Sequence, residues 1–382
     1  MKVLIYAGDG GSGGYLRYCT GLLCSGVSVG NLDLHVVCSP RMRERLATGA
    51  DRFRVHTHDF IGCGSWIRRR IWHVFIYPRW DRAIAADADF YLSGYLPVFP
   101  VKVPNIVTCH NLLPFDIPEI NRYSSSKDRR SLRTIRHRQL KSYNDASARI
   151  FLSDHSHGVI SSQLKQRCYD SVIRHGIGVE WFEVGPKTFQ LMDSIKVLYV
   201  SDIHPYKNHH TLIEAICRLR TSLRKDVHLY LAGGGNATEV SNLKRIVQND
   251  NRLDFIHFLG TQNDRELRAL YKTADAVAFP SSLECCPVTL LEAMASRVPI
   301  ACSERSGLRE VLCDGGIYFD PFDSGSVARA LGKLLGSAEL RCTLAERAYR
   351  RAGRFTWKSC ADKTFAFIES IVINGGRSAP VS

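Results

Sequence analysis

The chain predicts an α/β fold built as two doubly wound halves, and three observations carry that expectation. Short apolar runs of strand length alternate with stretches whose apolar residues recur at helical spacing. The alternation lapses over residues 174–190, a stretch rich in Gly, Pro and isolated aromatics, and restarts with a clean strand at Ile195. A length of 382 residues is too great for one compact domain and comfortable for two. The boundaries expected are 1–175 for the first domain, 176–355 for the second, and 356–382 for a closing helix that returns to the first.

Composition narrows the class. Hydrophobic residues make up 45% and charged residues 23%, as in ordinary soluble proteins. The thirteen cysteines include no CxxC pair and no Cys/His zinc spacing, and Cys109, Cys302 and Cys313 lie in or beside apolar runs. A reduced, cytoplasmic setting is expected. Met1 leads straight into the strand-like Lys2–Ala7, and no apolar run approaches the roughly 18 residues of a spanning helix.

The net charge of +14 calls for an anionic partner. Residues 127–141 carry seven basic side chains against one acid, with Arg129, Arg133 and Arg136 on one helical face. Residues 66–80 interleave Arg68, Arg69, Arg70 and Arg79 with Trp66, Ile67, Ile71, Trp72, Phe75 and Ile76. Rings at headgroup depth with arginines on lipid phosphates make these two stretches candidate contacts to an anionic membrane surface, and the bland alternative is a solvated basic face. No nucleic-acid-binding signature accompanies the charge, so no nucleic acid is expected as a partner.

In the first half, strand Lys2–Ala7 runs into a glycine-rich turn and a helix through Leu22 and Leu23. Gly8, Gly10 and Gly13 satisfy a dinucleotide fingerprint, but the second strand, Leu34–Val37, ends in Cys38, Ser39 and Pro40 without the acid that would hold a ribose. Asp87 and Asp89 precede the strand Phe90–Leu92 and read as a helix-to-strand turn, not a metal pair. Strand Asn105–Cys109 delivers His110 and Asn111 to its carboxyl end, where open sheets form their crevices. His155 and His157 follow another strand, with Ser153 and Asp154 as candidate helix caps.

In the second half, strand Val197–Val200 leads to Lys207 at a helix entrance, a natural counter-charge for an anion. Strand Val227–Ala232 ends in Gly233-Gly234-Gly235, a turn that leaves room for a ligand, and strand Phe255–Leu259 closes at Gly260-Thr261. The central stretch is FPSSLECCPVTLLEAMASRVPI, residues 279–300. The apolar run Ala276–Phe279 reads as a strand, Pro280 and two serines break it, and from Pro287 Leu290, Leu291 and Met294 recur at helical spacing. Glu284 lies in the turn and Glu292 within the helix, seven residues between them. The helix N-terminus at Pro287 and Val288 favours an anion such as a diphosphate. The two carboxylates suit sugar hydroxyls, although acids in a helix's first turns are common for macrodipole reasons alone.

This stretch resembles the glutamate, seven residues, glutamate motif of retaining glycosyltransferases of family 4, followed as there by an Ala-Met-Ala helix and a Val-Pro-Ile strand. The resemblance is strong over about 195–375, moderate around 1–25 and 105–112, and weak over 40–100. It implies the GT-B architecture, two Rossmann-like domains facing across a cleft. It also implies that Glu284 faces the transferred sugar, Glu292 holds the nucleotide ribose, His110 contacts the donor sugar and Lys207 meets the diphosphate. Gly13-Gly14 is similar to the family's turn beside the diphosphate and acceptor, and Gly260-Thr261 to the segment whose backbone meets the base. Two departures stand out. Cys285, Cys286 and Pro287 replace a small, Gly-containing segment, and Asp202 stands where the family has a second diphosphate-binding cation, an arginine.

The implied function is retaining transfer of a hexose from a nucleotide-diphosphate sugar to a hydroxyl of a glycan or lipid-linked acceptor, in cell-surface polysaccharide or lipopolysaccharide assembly, with no metal and no cofactor. Two rivals share the fold: an isomerase acting on a nucleotide sugar without an acceptor, and a non-catalytic nucleotide-sugar-binding protein.

Overall fold

The computed structural model describes residues 1–9, 13–25, 32–183, 185, 187, 189, 194–235, 237–249 and 254–375. Gly10, part of the glycine fingerprint, lies outside them.

The chain divides into two compact units. The first comprises Met1–Phe115, Lys127–Gly176 and Thr356–Ser382; the second comprises Asp116–Ser126 and Ile177–Phe355. One expected boundary is corrected here, because Asp116–Ser126 leaves the first unit and packs with the second. The reason is polar: in a short helix, Ile117–Asn121, Glu119 accepts a 2.6 Å hydrogen bond from Ser282, and just beyond it Arg122 donates one of 2.6 Å to Asn208. No hydrophobic period announces such a pairing between residues 86 and 163 positions apart.

The first unit holds a seven-stranded parallel sheet of order β3-β2-β1-β4-β5-β6-β7. Its strands are β1 Lys2–Gly8, β2 Asp33–Cys38, β3 Arg54–Thr57, β4 Ala88–Tyr91, β5 Asn105–Cys109, β6 Ala148–Phe151 and β7 Tyr169–Val172. β4, β5 and β6 are buried throughout, as parallel strands covered on both faces must be, and β1 is buried at Val3, Leu4, Ile5 and Ala7. The helix Gly13–Cys24 and the helix Trp357–Ile373 pack together over this sheet, joining Leu22, Phe365 and Ile368 to one apolar cluster with Val3, Ile5 and Phe90. Trp357 lies so close to Gly21 that a Cβ there would meet the indole at 2.2 Å.

The second unit holds a six-stranded parallel sheet of order β10-β9-β8-β11-β12-β13. Its strands are β8 Ser194–Val200, β9 Asp226–Ala232, β10 Ile256–Gly260, β11 Ala276–Phe279, β12 Ile300–Ser303 and β13 Gly316–Phe319. Both units are therefore α/β and Rossmann-like. In each, the strand order reverses once, between β1 and β4 in the first sheet and between β8 and β11 in the second. Ligands of open α/β sheets bind outside the carboxyl ends of the strands at such a reversal.

Several local expectations are settled. Ser153 caps the helix Asp154–Ser161 through a box with Ser156. Asp87 belongs to the turn before β4 and accepts from the Lys2 amide at 2.7 Å, whereas Asp89 sits inside β4 and is buried. Cys109 and Cys302 are buried as small hydrophobes, but Cys313 is exposed, at the end of the short helix Leu308–Leu312. No helix among the described residues is long and apolar enough to cross a membrane.

Candidate functional site

The second sheet's reversal point brings two of the expected site residues together. β8 ends at Val200 and its loop turns through Pro205–Lys207; β11 ends at Phe279 and its loop runs to Pro287. Both loops leave adjacent strands, so their side chains meet. The Lys207 ammonium donates to the Glu284 carboxylate, each side chain keeping only 13% and 12% of its surface exposed. Burial pushes Lys207 down, but Glu284, with smaller contributions from Tyr199 and Asp202, outweighs that and leaves its pKa raised, so it stays charged.

Backbone and side chains stitch the two loops together. Ser282 N–H donates to Tyr206 O at 2.8 Å, and the Asn208 amide donates to Pro280 O at 2.8 Å from a left-handed backbone (φ 52°). The Tyr199 hydroxyl lies 3.0 Å from Ser281 Oγ and donates to Lys207 O at 3.1 Å. Arg122 braces the assembly through Asn208 and, at 2.8 Å, Glu119, with its guanidinium 5.1 Å from the Phe322 ring centre. On the far side, Ser306 Oγ accepts from the Glu284 amide at 3.0 Å. Sequence reasoning missed Glu119, Arg122 and Ser306, for which no spacing signal exists.

After Pro287 comes the helix Val288–Ala295, with no side chain capping its N-terminus and no acid in its first turn. An anion is the natural complement of such an end. Glu292 lies one turn in and is fully buried, as are Leu290, Leu291 and Met294 on the same helix, so the structure gives this carboxylate no exposed surface. Cys285 and Cys286 are buried too, at 6% and 3% exposed, and Pro287 and Val288 form the helix entrance.

The glycine turn after β9 is corrected in its reason. A Cβ on Gly233 (φ 148°) would lie 2.1 Å from Ser201 O, and one on Gly235 would lie 2.5 Å from Ile203 N. The turn requires glycine because the chain's own β8 loop fills that space. Asp202 belongs to the same contact: its Oδ1 accepts from the Gly234 amide at 3.1 Å. The residue in the arginine's expected place thus ties two loops together. Gly260 (φ 68°) ends β10 and Thr261 follows it on an open rim, where a Cβ on Gly260 meets nothing within 4 Å.

Within the first unit, Gly13 and Gly14 begin the helix Gly13–Cys24, with nothing within 4 Å of a Cβ on either. His110, just beyond β5, packs edge-on against Tyr18 (ring centres 4.5 Å apart) and Tyr15 (5.4 Å), with His175 at 5.7 Å. Burial, then the neighbouring His175, lowers its pKa to about 3, so the imidazole is neutral. Its Nε2 is buried and has no hydrogen-bond partner among the described residues.

Residues 186–351 match the family model described as glycosyl transferases group 1. This segment is a glycosyl transferases group 1 domain. It contains Lys207, Glu284, Glu292 and both glycine turns of the second unit. The chain is 30% identical over 176 residues to O-antigen chain mannosyltransferase B of Escherichia coli, a match covering 46% of each chain. It is 33% identical over 169 residues to D-inositol 3-phosphate glycosyltransferase of Salinispora tropica, covering 42% of this chain and 35% of that protein. Both matches span less than half the length of these relatives. Over its full extent the chain is similar to Anabaena HepE, solved in complex with UDP and glucose: TM-score 0.74, 18% identity, 97% of this chain and 100% of that one covered. That likeness gives the fold, GT-B, around the group 1 domain.

Proposed function

We propose that the protein is a retaining, metal-independent glycosyltransferase of family 4. It would move a hexose from a nucleotide-diphosphate sugar to a hydroxyl of a glycan or lipid-linked acceptor, in cell-surface polysaccharide or lipopolysaccharide assembly. The observation that carries the reading is the Lys207–Glu284 pair at the reversal point of the group 1 domain's sheet, on the loop that feeds an uncapped helix N-terminus. Relatives named as a mannosyltransferase and an inositol-phosphate glycosyltransferase support the reaction class, and HepE's UDP supports a nucleoside diphosphate as the leaving group.

In this reading the second unit binds the donor. Gly260 and Thr261 border the base, Glu292 the ribose, and Gly233, Pro287 and Val288 the diphosphate end. Lys207 and the helix N-terminus offset the charge that develops as the anomeric C–O bond breaks and its electron pair moves to the phosphate oxygen, so no metal is required for that purpose. The acceptor oxygen attacks the same face, and its proton passes to the departing phosphate oxygen. Glu284 aligns the sugar hydroxyls. In the first unit, neutral His110 supplies a hydrogen bond to the sugar through Nε2, and Gly13 and Gly14 border the acceptor. Residues 66–80 and 127–141 face an anionic membrane from the cytoplasmic side.

A panel of nucleotide sugars, assayed for binding and slow hydrolysis with and without a chelator, tests this. One donor should bind and be cleaved in chelator, with cleavage falling about 100-fold in Lys207→Ala, the scale of one lost stabilising contact, and affinity falling in Glu292→Ala. Absence of binding by every donor, or cleavage abolished by the chelator, would overturn the reading.

A further inference from the structure

The first sheet also has a reversal point, between β1 and β4, and a cavity of about 670 Å³ opens there. Tyr6 and Tyr91, paired in register across β1 and β4, form part of its wall with Tyr77, whose ring centre lies 5.0 Å from that of Tyr6. Its other side is basic. Arg69 and Arg70 come from the helix Trp66–Ile71, and Arg138 from the helix Ser126–Asp145, its guanidinium 5.3 Å from the Tyr95 ring centre. None of these three guanidinium groups has an ion pair or hydrogen bond to a side chain among the described residues, and Asp9 is the one carboxylate in the lining.

The rim is apolar and exposed. Val74 and Val98 line the cavity while remaining 40% and 77% exposed, and the same segment goes on to expose Trp66, Ile67 and Phe75 at 66%, 53% and 57%. Large side chains so exposed are the informative departure from ordinary surface composition. The continuous π-helical turn Trp72–Ile76 holds them outward by burying Trp72, whose indole N–H donates to the Tyr6 hydroxyl at 3.1 Å.

We infer that this cavity binds an acceptor that is an anionic amphiphile: a phosphate or diphosphate ester held by Arg69, Arg70 and Arg138, with its apolar chain along Trp66, Ile67, Val74 and Phe75. Arginine forks match phosphate oxygens, and cations left without internal partners keep their full charge for a ligand. The tyrosine wall offers flat faces and hydroxyls to the sugar or ester beyond the phosphate. The naming of this ligand as acceptor rests on the transferase reading; the binding itself does not.

The test is calorimetric binding of decyl diphosphate below its micelle concentration, beside inorganic pyrophosphate and decyl glucoside, with no donor present. Decyl diphosphate should bind more tightly than either control. Arg69→Gln with Arg70→Gln should weaken both diphosphates about tenfold or more, the scale of a lost charged hydrogen bond. Trp66→Ser with Phe75→Ser should bring decyl diphosphate down to the affinity of pyrophosphate. All four positions are exposed, and an unchanged thermal midpoint verifies folding. Decyl glucoside binding as tightly as decyl diphosphate, or affinities indifferent to the arginines, would overturn the anionic site. Pyrophosphate matching decyl diphosphate in the unmodified protein would overturn the lipid assignment in favour of free phosphate. Donor hydrolysis is a separate measurement, so a protein that fails it yet binds decyl diphosphate loses the transferase reading and keeps this site.

Discussion

Lys207 and Glu284 neutralise each other where water reaches little of either side chain. A pair of that kind gives modest net stability, but removing one partner strands the other. Lys207→Met should therefore destabilise the second unit by about 3 kcal/mol. Lys207→Met combined with Glu284→Gln should regain most of that loss in denaturant unfolding while leaving donor cleavage as low as in the single variant. Restored cleavage in the double variant would show that neither charge is used on the donor. The single letters of these residues were legible, since each stands just past a strand. Their mutual contact was not, because it depends on β8 and β11 being neighbours in a sheet that returns across 77 residues. Asp202 was legible only as a departure; its bond to Gly234 gives it a structural occupation.

At the scale of elements, apolar runs gave the strands where the buried residues were themselves apolar, and β4 was read two residues late because buried Asp89 interrupts its run. β11 and β5 came out at their full lengths, and the helix after Pro287 began within one residue of its place. β3 and β7 escaped because no residue of either is fully buried, leaving no apolar run to read. The glycine turns were visible as composition but not as cause. Their causes predict opposite behaviour. Gly233→Ala forces a Cβ onto Ser201 O from a backbone angle that favours glycine, and should cost about 1–3 kcal/mol. Gly14→Ala, at the start of a helix with open space around it, should leave stability level or raise it by up to about 1 kcal/mol. Thermal melts compare the two directly. Loss of ligand affinity in a well-folded Gly14→Ala protein would then report on the ligand alone.

Over the whole molecule, two buried groups of the first unit set opposing pH trends. Burial, with His175 behind it, lowers His110 from 6.5 to about 3, so its contribution is complete above pH 6.5 and is lost as pH falls toward 3. Burial, joined by the neighbouring Asp81 carboxyl, raises Asp89 from 3.8 to about 8, so its contribution is complete below 3.8 and is lost as pH climbs through 8. Between 3.8 and 6.5 the two slopes oppose each other, and above 6.5 only the Asp89 loss remains of this pair. The melting temperature should accordingly decline from about pH 6.5 to pH 8, and Asp89→Asn should flatten that limb. A decline of undiminished slope in Asp89→Asn would assign it to other groups. Neither shift was legible in the sequence, where Asp89 read as part of a turn and His110 as a residue pointing into the crevice.

The first unit is assembled from three separated stretches of chain, and the helix Trp357–Ile373 contributes Phe365, Ile368 and Ile371 to the cluster beneath β1. On a ribosome, which releases the chain from the amino end, that cluster must wait with one face uncovered while the whole second unit emerges. The second unit can therefore close first, and the half with the basic cavity finishes only when Trp357–Ile373 arrives to cover it. A message cut short after residue 355 would yield a chain able to complete its group 1 domain but not the apolar core of its first sheet.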